Sequence, residues 1–255
     1  MEKNHDLFKR VILILFFISI IAISAYIVVT KVIKRNSVSD EEEIQEVTET
    51  VLKGSSIVTE LSIKNPKVKE LYNYIDDQEI DLMALNEDKK LSWDFKSFVV
   101  VKNIGIDDDL IEQQEFEDKY YKIFNDKLDN QKRESKVCGS ATYGSDFELY
   151  KVNVSCFDFN KPQIRTYLKN ITLENGDLKI NKYYTYVDNS FEHLNELGIY
   201  TNKELNEESM IVEGIKEKEI SDYISNMNIL SYVFKKDKDG EYYLYKVIKW
   251  EEKVQ

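Results

Sequence analysis

The sequence predicts an α+β domain carried on one transmembrane helix. Residues 11–30 contain no charged residue, and fourteen of these twenty residues are Val, Ile, Leu or Phe. Helical patterns fill the first part of the chain that follows, and alternating strands with turn signals replace them from residue 137 onward. Helices followed by antiparallel hairpins are typical of a fold in which the helices pack on one face of a curved sheet.

The apolar segment has the length of a membrane span, because twenty helical residues extend about 30 Å, the thickness of a bilayer's hydrocarbon core. We therefore predict a transmembrane signal anchor over residues 11–30 rather than the core helix of a soluble protein. A cleaved signal peptide is the alternative, since Lys9 and Arg10 precede the run. The run is longer than a typical signal-peptide core of about 7–15 residues, and no cysteine follows it closely to take a lipid. An uncleaved anchor is favoured.

The orientation of this helix is not decided by its flanking charges, because three basic residues lie on each side: Lys3, Lys9 and Arg10 before it, and Lys31, Lys34 and Arg35 after it. A short tail is most simply retained, and a long domain translocates largely regardless of its charge. We therefore predict a cytoplasmic tail at residues 1–10, a single span in the cell membrane, and an extracytoplasmic α+β domain at residues 55–255.

The chain carries a net charge of −12, and no basic stripe interleaved with aromatic residues follows Arg35. Such a charge repels phosphate backbones, so nucleic-acid binding is not expected. A hydrophobic content of 42%, with 12% aromatic residues, is typical of a globular chain with a sizeable core.

Residues 31–54 are predicted to form a juxtamembrane stalk or linker. Ser39 or Asp40 is placed to cap a helix, with acidic residues in its first turn. The apolar positions of this pattern are Ile44, Val47 and Val51, continued weakly by Val58 and Leu61. A short self-associating coil is the alternative to a monomeric linker, and the sequence leaves the oligomeric state open.

Three helices are predicted between the stalk and the first cysteine. One begins at Asn65 and Pro66, a capping residue followed by proline at the first helical position. Ser92 is placed to cap a second helix. A third is predicted from about Leu110 to Phe124.

Strands dominate the second half of the chain. The Asn175-Gly176 pair predicts a β-hairpin over residues 164–187, and Asp239-Gly240 predicts another near the C-terminus. A β-rich stretch over residues 146–157 precedes the first hairpin. Between the two hairpins we expect a polar loop over residues 201–209 and a helix over residues 217–227.

Cys138 and Cys156 are the only cysteines. In an oxidising compartment they are expected to form one disulfide, which stabilises the fold by about 3 kcal/mol on the chain-entropy model. If the domain faced the cytosol, both would stay reduced. A zinc site is not expected, because two thiolates need further ligands and His193 is the only histidine beyond the N-terminal tail.

The overall build resembles uncharacterised single-pass, membrane-anchored extracytoplasmic proteins of low-GC Gram-positive bacteria. The resemblance is carried by the basic tip, the anchor, the stalk, an LYNYI segment, a CGSATY segment and a closing YYLYKVIKW strand. It implies location and class, and the group brings no activity with it. The order of helices and sheet is also similar to cystatin-like or NTF2-like rolls, a likeness of fold alone.

No residue is predicted to be catalytic, cofactor-binding or metal-binding. His193 is interpreted as a surface histidine, and no motif of a known nucleophile, phosphate loop or dinucleotide site occurs. Asp237, Asp239 and Gly240 faintly resemble a calcium loop, but a hairpin turn explains all of them.

Acidic residues are plentiful enough for a glycan hydrolase that uses two carboxylates. They occur in two runs, one of Asp107, Asp108, Asp109 and Glu112 and the other of Glu115, Glu117 and Asp118. Nothing in the sequence selects one pair in an apolar pocket. We therefore interpret these runs as a solvated loop and the start of a helix.

Tyrosine is the one unusual functional signal, with 17 in the chain. Two strands place tyrosines at alternating positions, where one face of each strand is expected to enter the core and the other to stay outside. The candidate binding surface, which stacks on sugars or holds a peptide, comprises Tyr183, Tyr184, Tyr186, Tyr242, Tyr243 and Tyr245. Cross-strand packing is the alternative.

These patterns predict a non-catalytic extracytoplasmic protein that needs no cofactor and binds an envelope protein or glycan. Two alternatives remain open. One is a carboxylate-dependent glycan hydrolase of the cell envelope, and the other is a sensor or accessory subunit of a membrane complex.

Overall fold

The computed structural model describes residues 50–53, 56–87, 90–105, 109–128, 133–144, 148–154, 163–188 and 196–250. All of them belong to one compact unit, Val47–Gln255. They form an α+β fold with helices packed on antiparallel sheets, so the α+β class is confirmed, while two strands of the large sheet precede the helices rather than follow them. Within these ranges no helix has both the length and the apolar character that a membrane span requires. The predicted anchor, residues 11–30, lies outside them.

Most strands join one eight-stranded antiparallel sheet. Six of them run in the order β1 (Thr50–Lys53), β2 (Ser56–Leu61), β6 (Gln163–Glu174), β7 (Asp177–Asp188), β10 (Asn228–Lys236) and β11 (Tyr242–Trp250). The other two are β8 (Leu197–Tyr200), which pairs with β7, and β9 (Met210–Ile215), which pairs with β8. A separate three-stranded sheet has the order β3 (Leu110–Glu112), β5 (Leu149–Val152) and β4 (Ala141–Gly144).

Both predicted hairpins are confirmed. The β6–β7 turn holds Asn175 at φ 53° and Gly176 at φ 86°, as a two-residue hairpin of the Asn-Gly type requires. The β10–β11 connection is longer. In it, Asp237 accepts hydrogen bonds from the N–H groups of Asp239 and Glu241, both at 2.9 Å. The acidic residues of this segment therefore form the turn itself.

Four α-helices lie in the described part of the chain: α1 (Pro66–Asn73), α2 (Gln78–Ala84), α3 (Trp93–Ile104) and α4 (Gln113–Phe124). The predicted start of α1 is confirmed, because the side chain of Asn65 accepts from the N–H groups of Lys67 and Val68. The cap of α3 is confirmed too: Ser92 Oγ accepts from the N–H of Phe95 at 3.1 Å.

The prediction of a helix from Leu110 was wrong at its start. Leu110–Glu112 pairs with β5 as a strand, which buries Ile111, and the helix begins only at Gln113. The predicted helix over residues 217–227 is a 3-10 helix, Glu217–Asn226. Helix α2 was not predicted at all, although Asp77 caps it by accepting from the N–H groups of two residues in its first turn.

The stalk pattern also differs from the structure. Thr50–Lys53 forms β1, in which Val51 lies opposite Val58 of β2. These two positions are therefore cross-strand partners rather than members of one helix face. The helical spacing arises there by coincidence, because short β-branched runs fit strands as well as helices. The rest of the predicted stalk, residues 31–49, lies outside the described residues.

The main core lies between the four helices and one face of the large sheet. Its largest fully buried side chains include Phe95, Phe116, Tyr120, Tyr232 and Phe234. A smaller core lies where β8, β9 and the 3-10 helix meet β7, and it contains Val187, Leu197, Ile199, Ile215, Ile220 and Met227. Because Val187 follows Tyr186, which packs on the main core, the smaller core lies on the opposite face of the sheet.

Candidate functional site

A cleft of about 660 Å³ opens between α2, the start of α3 and the loop that precedes β4. Its apolar lining comes from Leu82, Met83, Leu85, Phe98, Val137 and Tyr186. Its polar lining comes from Glu79, Asn86, Glu87, Lys90, Ser92, Asp94, Cys138 and Lys203. A cleft of this volume that combines apolar side chains with polar groups is typical of a site for a small organic ligand or a few residues of a peptide.

Helix α2 forms one wall of the cleft and presents Leu82 and Met83 to it. The opposite side of the same helix is buried, with Ile80 at 1% and Ala84 at 0% exposure. The capping carboxylate of Asp77 accepts from the N–H of Glu79 at 2.7 Å. Helix α2 is thus held in place by its N-terminal cap and by the burial of its apolar side chains.

A buried polar network anchors the inner side of α2 to the sheet. The Nζ of Lys182 lies 3.0 and 2.9 Å from the two carboxylate oxygens of Asp81. Tyr232 donates to Oδ1 at 2.7 Å, and Thr166 donates to Oδ2 at 2.8 Å. Lys182 also donates to the carbonyl of Ile75. Every donor and acceptor that this network takes out of water is thereby matched.

Burial raises the pKa of Asp81, and the facing Lys182 ammonium and the hydroxyl donors oppose that rise. Burial also raises the pKa of Tyr232 far above its ordinary value, with the charge of Asp81 adding to the effect. These groups have exposed fractions of 0% for Asp81 and Tyr232 and 2% for Lys182. A substrate does not reach them, so we interpret the network as a support for the wall of the cleft.

Hydrogen bonds to Glu87 hold the rim of the cleft in place. Its carboxylate accepts from both the N–H and the hydroxyl of Ser92, and the residue is only 5% exposed. The same hydroxyl oxygen caps α3 by accepting from Phe95. Glu87 therefore fixes the connection between α2 and α3, and its oxygens are occupied by these donors.

The far side of the cleft is the loop over residues 133–140. The hydroxyl of Ser135 donates to the carboxylate of Asp94, and Asn153 donates to the carbonyl of Ser135 at 2.6 Å. Gly139 has φ +78°, and a Cβ placed there would lie 2.6 Å from Cε2 of Phe98. This position needs glycine both for its backbone conformation and for the close approach to the ring.

The described carboxylates of the cleft are committed to internal partners. Glu79 forms an ion pair with Lys102, Glu87 accepts from Ser92, and Asp94 accepts from Ser135. Within the ranges that the structure describes, no group of three or more His, Cys, Asp and Glu side chains is arranged to hold a metal ion. These carboxylates therefore hold parts of the cleft wall together.

The six predicted tyrosines do not form one surface. Tyr183 of β7 lies opposite Ile229 of β10, whereas Tyr243 of β11 lies opposite Lys235, near the other end of β10. The two groups thus occupy opposite ends of the sheet, with β10 between their strands. Tyr184 is buried in the core, and Tyr186 and Tyr242 pack against it. Tyr245 is 46% exposed, and of the six only Tyr186 is among the described lining of the cleft.

The structure describes only some of the other residues that the sequence analysis names. Cys138 lines the cleft, while Cys156 lies outside the described residues, so the disulfide stays a prediction. His193 and the pair Asp107 and Asp108 also lie outside them. Glu117 accepts from Gln113 and Asp118 from Gln114, as on an ordinary helix surface.

No protein-family model matches the chain, no curated protein resembles it significantly, and no solved structure has a significantly similar fold. The function is therefore argued from the site alone.

Proposed function

We propose that this chain is a membrane-anchored, extracytoplasmic binding protein and that the cleft beside α2 is its ligand site. The observation that carries the proposal is the cleft itself, a preformed cavity of about 660 Å³ with Met83, Phe98 and Tyr186 in its wall. Two cations, Lys90 and Lys203, stand at the same cleft. The cleft also carries the carboxylates of Glu79, Glu87 and Asp94, so this combination favours a ligand with an apolar body and a polar group.

The anchor is the second part of the proposal. Residues 11–30 are apolar over a length that spans a bilayer, and the domain that follows carries the acidic excess of the chain. A cytoplasmic N-terminus and an external domain are the orientation that we infer. The resemblance to uncharacterised anchored proteins of low-GC Gram-positive bacteria, and the roll-like order of helices and sheet, agree with this build and add no activity.

The hydrogen bonds made by the carboxylates of the cleft favour binding over glycan hydrolysis as its function. A hydrolase needs one carboxylic acid that keeps its proton and a second carboxylate that faces the substrate. Glu87 and Asp94 instead accept hydrogen bonds from Ser92 and Ser135. These bonds hold the walls of the cleft together, so both carboxylates are engaged within the protein rather than with a ligand.

The test fills the cleft. Met83→Trp places a larger side chain in the wall, while Leu110→Trp makes a matched change at an exposed strand position away from it, 49% exposed. The probe is 1-anilinonaphthalene-8-sulfonate, an apolar ring system with one anionic group, titrated into the full chain in detergent. We expect one molecule to bind per chain, with affinity at least about tenfold lower in Met83→Trp and unchanged in Leu110→Trp.

The circular dichroism spectrum of each variant shows whether its fold is retained. If Met83→Trp keeps the wild-type spectrum and binds the probe as well as the wild type does, the cleft is not the ligand site. Absence of stoichiometric binding to the wild type contradicts the proposal equally.

A further inference from the structure

The face of the large sheet that points away from the helices carries a continuous chain of hydrogen bonds across five strands. Trp250 Nε1 donates to Ser231 Oγ at 3.1 Å, and Ser231 donates to Asn181 at 2.6 Å. Asn181 donates to Asn170 at 2.8 Å, and Asn170 donates to Glu60 at 3.4 Å. All four bonds run in the same direction, so each group polarises the next.

The strand register places these side chains on one face of the sheet. Asn170 lies opposite Asn181, and Asn181 lies opposite Ser231. Ser231 is only 3% exposed and supports the two amides, which are half-buried. Each amide uses one N–H in the chain of hydrogen bonds, and no described residue takes the second, so it can meet a ligand. We call Asn170 and Asn181 the amide row.

Aromatic rings lie beside the amide row. Tyr183 is two residues from Asn181 on β7 and lies opposite Ile229, whose other partner is Trp250. The indole of Trp250 is 54% exposed. On the other side, Tyr245 is 46% exposed and packs edge to face with Tyr243. Tyr183 itself is half-buried against the smaller core, so Trp250 and Tyr245 are the exposed rings. Such rings suit ligands that have both C–H surfaces and hydroxyl groups.

The charge near the row has the opposite sign to that of the chain, which is −12 overall. Lys169 lies over the ring of Tyr183 at 4.9 Å, and Lys235 lies over that of Tyr245 at 4.1 Å. Lys246 projects from the same face, opposite Val233. No carboxylate of the described residues forms an ion pair with any of these three lysines.

The acids of this face lie toward β2 and the β6–β7 turn. Glu174 forms an ion pair with Lys179, whereas Glu60 accepts from the neutral amide of Asn170 and keeps its charge, and Asp177 lies at the turn. The positive potential is therefore on the β10–β11 side of the amide row, where Lys235 and Lys246 lie, and it favours an anionic ligand there.

One buried hydroxyl on this face lacks a partner. Thr172 is 4% exposed, and among the described residues nothing forms a hydrogen bond with its Oγ1. Thr172 lies opposite both Glu60 and Lys179, two positions along β6 from Asn170. A buried polar group without a partner is costly, and at 4% exposure a water rather than a saccharide is the partner that fits this hydroxyl.

We propose that this face binds an acidic saccharide, a chain of sugar rings that carries carboxylate or phosphate groups. Sugar rings place C–H faces on the exposed ring of Trp250 and hydroxyl groups on the amide row. Their acidic groups meet Lys169, Lys235 and Lys246. The cleft beside α2 is lined by Tyr186, which points to the helical face, so this site is separate from the cleft and does not depend on the proposed function.

The experiment measures saccharide binding to the full chain in detergent by titration calorimetry. The probes are a galacturonic acid hexamer and a hyaluronan hexasaccharide, and maltohexaose is the neutral control. We expect the acidic probes to bind and the neutral one to bind at least about tenfold more weakly. Raising the salt concentration from about 50 to about 300 mM should weaken binding of the acidic probes, since the lysines are exposed.

Variants locate the site. Trp250→Ala and Asn181→Ala should each weaken binding at least about tenfold, while Tyr121→Ala, a matched change on α4 at 44% exposure, should leave it unchanged. Trp250 is mostly exposed, so its replacement leaves the core intact even if Asn181→Ala fails to fold. If neither acidic probe binds, or if Trp250→Ala binds like the wild type, the proposal is overturned.

The competing occupant is the chain's own acidic segment, residues 40–43. A variant in which Asp40 is changed to Asn, and Glu41, Glu42 and Glu43 to Gln, distinguishes the saccharide from this segment as the occupant of the face. Equal binding in this variant and the wild type supports the saccharide site. Binding that appears only after these changes assigns the face to that segment and overturns the proposal.

Discussion

Asp81 and Lys182, 101 positions apart in the chain, form an ion pair between α2 and β7 that is almost fully withdrawn from water. The pair lies directly behind the wall of the cleft, because Leu82 and Met83 follow Asp81 and face the cavity. The ion pair therefore fixes α2, which forms this wall, to β7 of the large sheet. The stability of the domain and the shape of the cleft are therefore expected to depend on the same contact.

Asp81→Asn should destabilise the domain by about 3–5 kcal/mol, because it leaves the Lys182 ammonium buried without its counter-charge. The measurement is chemical denaturation of the full chain in detergent, followed by circular dichroism. Glu174→Gln is the matched control, since Glu174 pairs with Lys179 on the same sheet with side chains 27% and 28% exposed. We expect the control to cost less than about 1 kcal/mol. Similar losses in the two variants would contradict the role assigned to burial.

Gly139→Ala should destabilise the domain by roughly 2–4 kcal/mol, from the strained positive φ and the overlap with the ring of Phe98. Gly240→Ala separates the two contributions, because Gly240 has φ +85° and nothing within 4 Å of the added Cβ. The free energy of unfolding of Gly240→Ala should fall by only about 1 kcal/mol. Thermal denaturation of both variants gives the comparison. Equal losses would mean that the contact with Phe98 costs nothing.

The ion pair between Glu70 of α1 and Lys122 of α4 should make stability depend on acid pH. The hydrogen bond from the Lys122 ammonium holds the pKa of Glu70 below its ordinary value of 4.5, against the opposing effect of burial. The Nζ to Oε1 distance is 2.7 Å, and Tyr74 donates to the same oxygen. A lowered pKa in the folded state means that the stabilisation is present above the ordinary value. It is lost as the pH falls through the pKa of the folded state.

Glu70→Gln is therefore expected to be less stable than the wild type near pH 7, by less than about 1 kcal/mol because both groups are half exposed. The difference should shrink toward zero as the pH falls below the pKa of Glu70 in the folded state. Urea denaturation of both proteins across this range provides the measurement. A difference that grows on acidification would show that the sign of the shift is wrong.

Replacement of Ile18 and Ile21 by Arg should release the chain from membranes, because each charge costs about 2.5–3.5 kcal/mol near the centre of a bilayer. Fractionation of cells that produce the variant provides the readout. Replacement of the same residues by Leu is the control and should leave the chain with the membranes. Retention of the Arg variant would count against a span at residues 11–30.

The features that the sequence predicted correctly are local. The caps at Asn65 and Ser92 and the Asn175-Gly176 turn depend on chemistry within a few residues, which is visible in the sequence. Leu110–Glu112 was misread because its strand partner, Leu149–Val152, is supplied by a distant part of the chain. Pairing of this kind overrides helical spacing, and a single sequence does not show it.

The site was harder to predict for the same reason. The lining of the cleft comes from separate stretches of chain, and the sequence analysis names Ser92, Cys138 and Tyr186 among these residues for other reasons. Lys182 did leave a signal, since it falls at a core-facing position of an alternating strand, where a cation requires a buried partner. Its partner, Asp81, lies in a helix that was not predicted, so the pair became visible only in the fold.

The most direct test of an anchored, external binding domain is protease accessibility in intact protoplasts of cells that produce the chain. We expect an added protease to digest the domain at residues 55–255 while a cytosolic marker protein stays whole. A domain that resists the protease until the membrane is lysed, and is then digested together with the marker, would contradict the account.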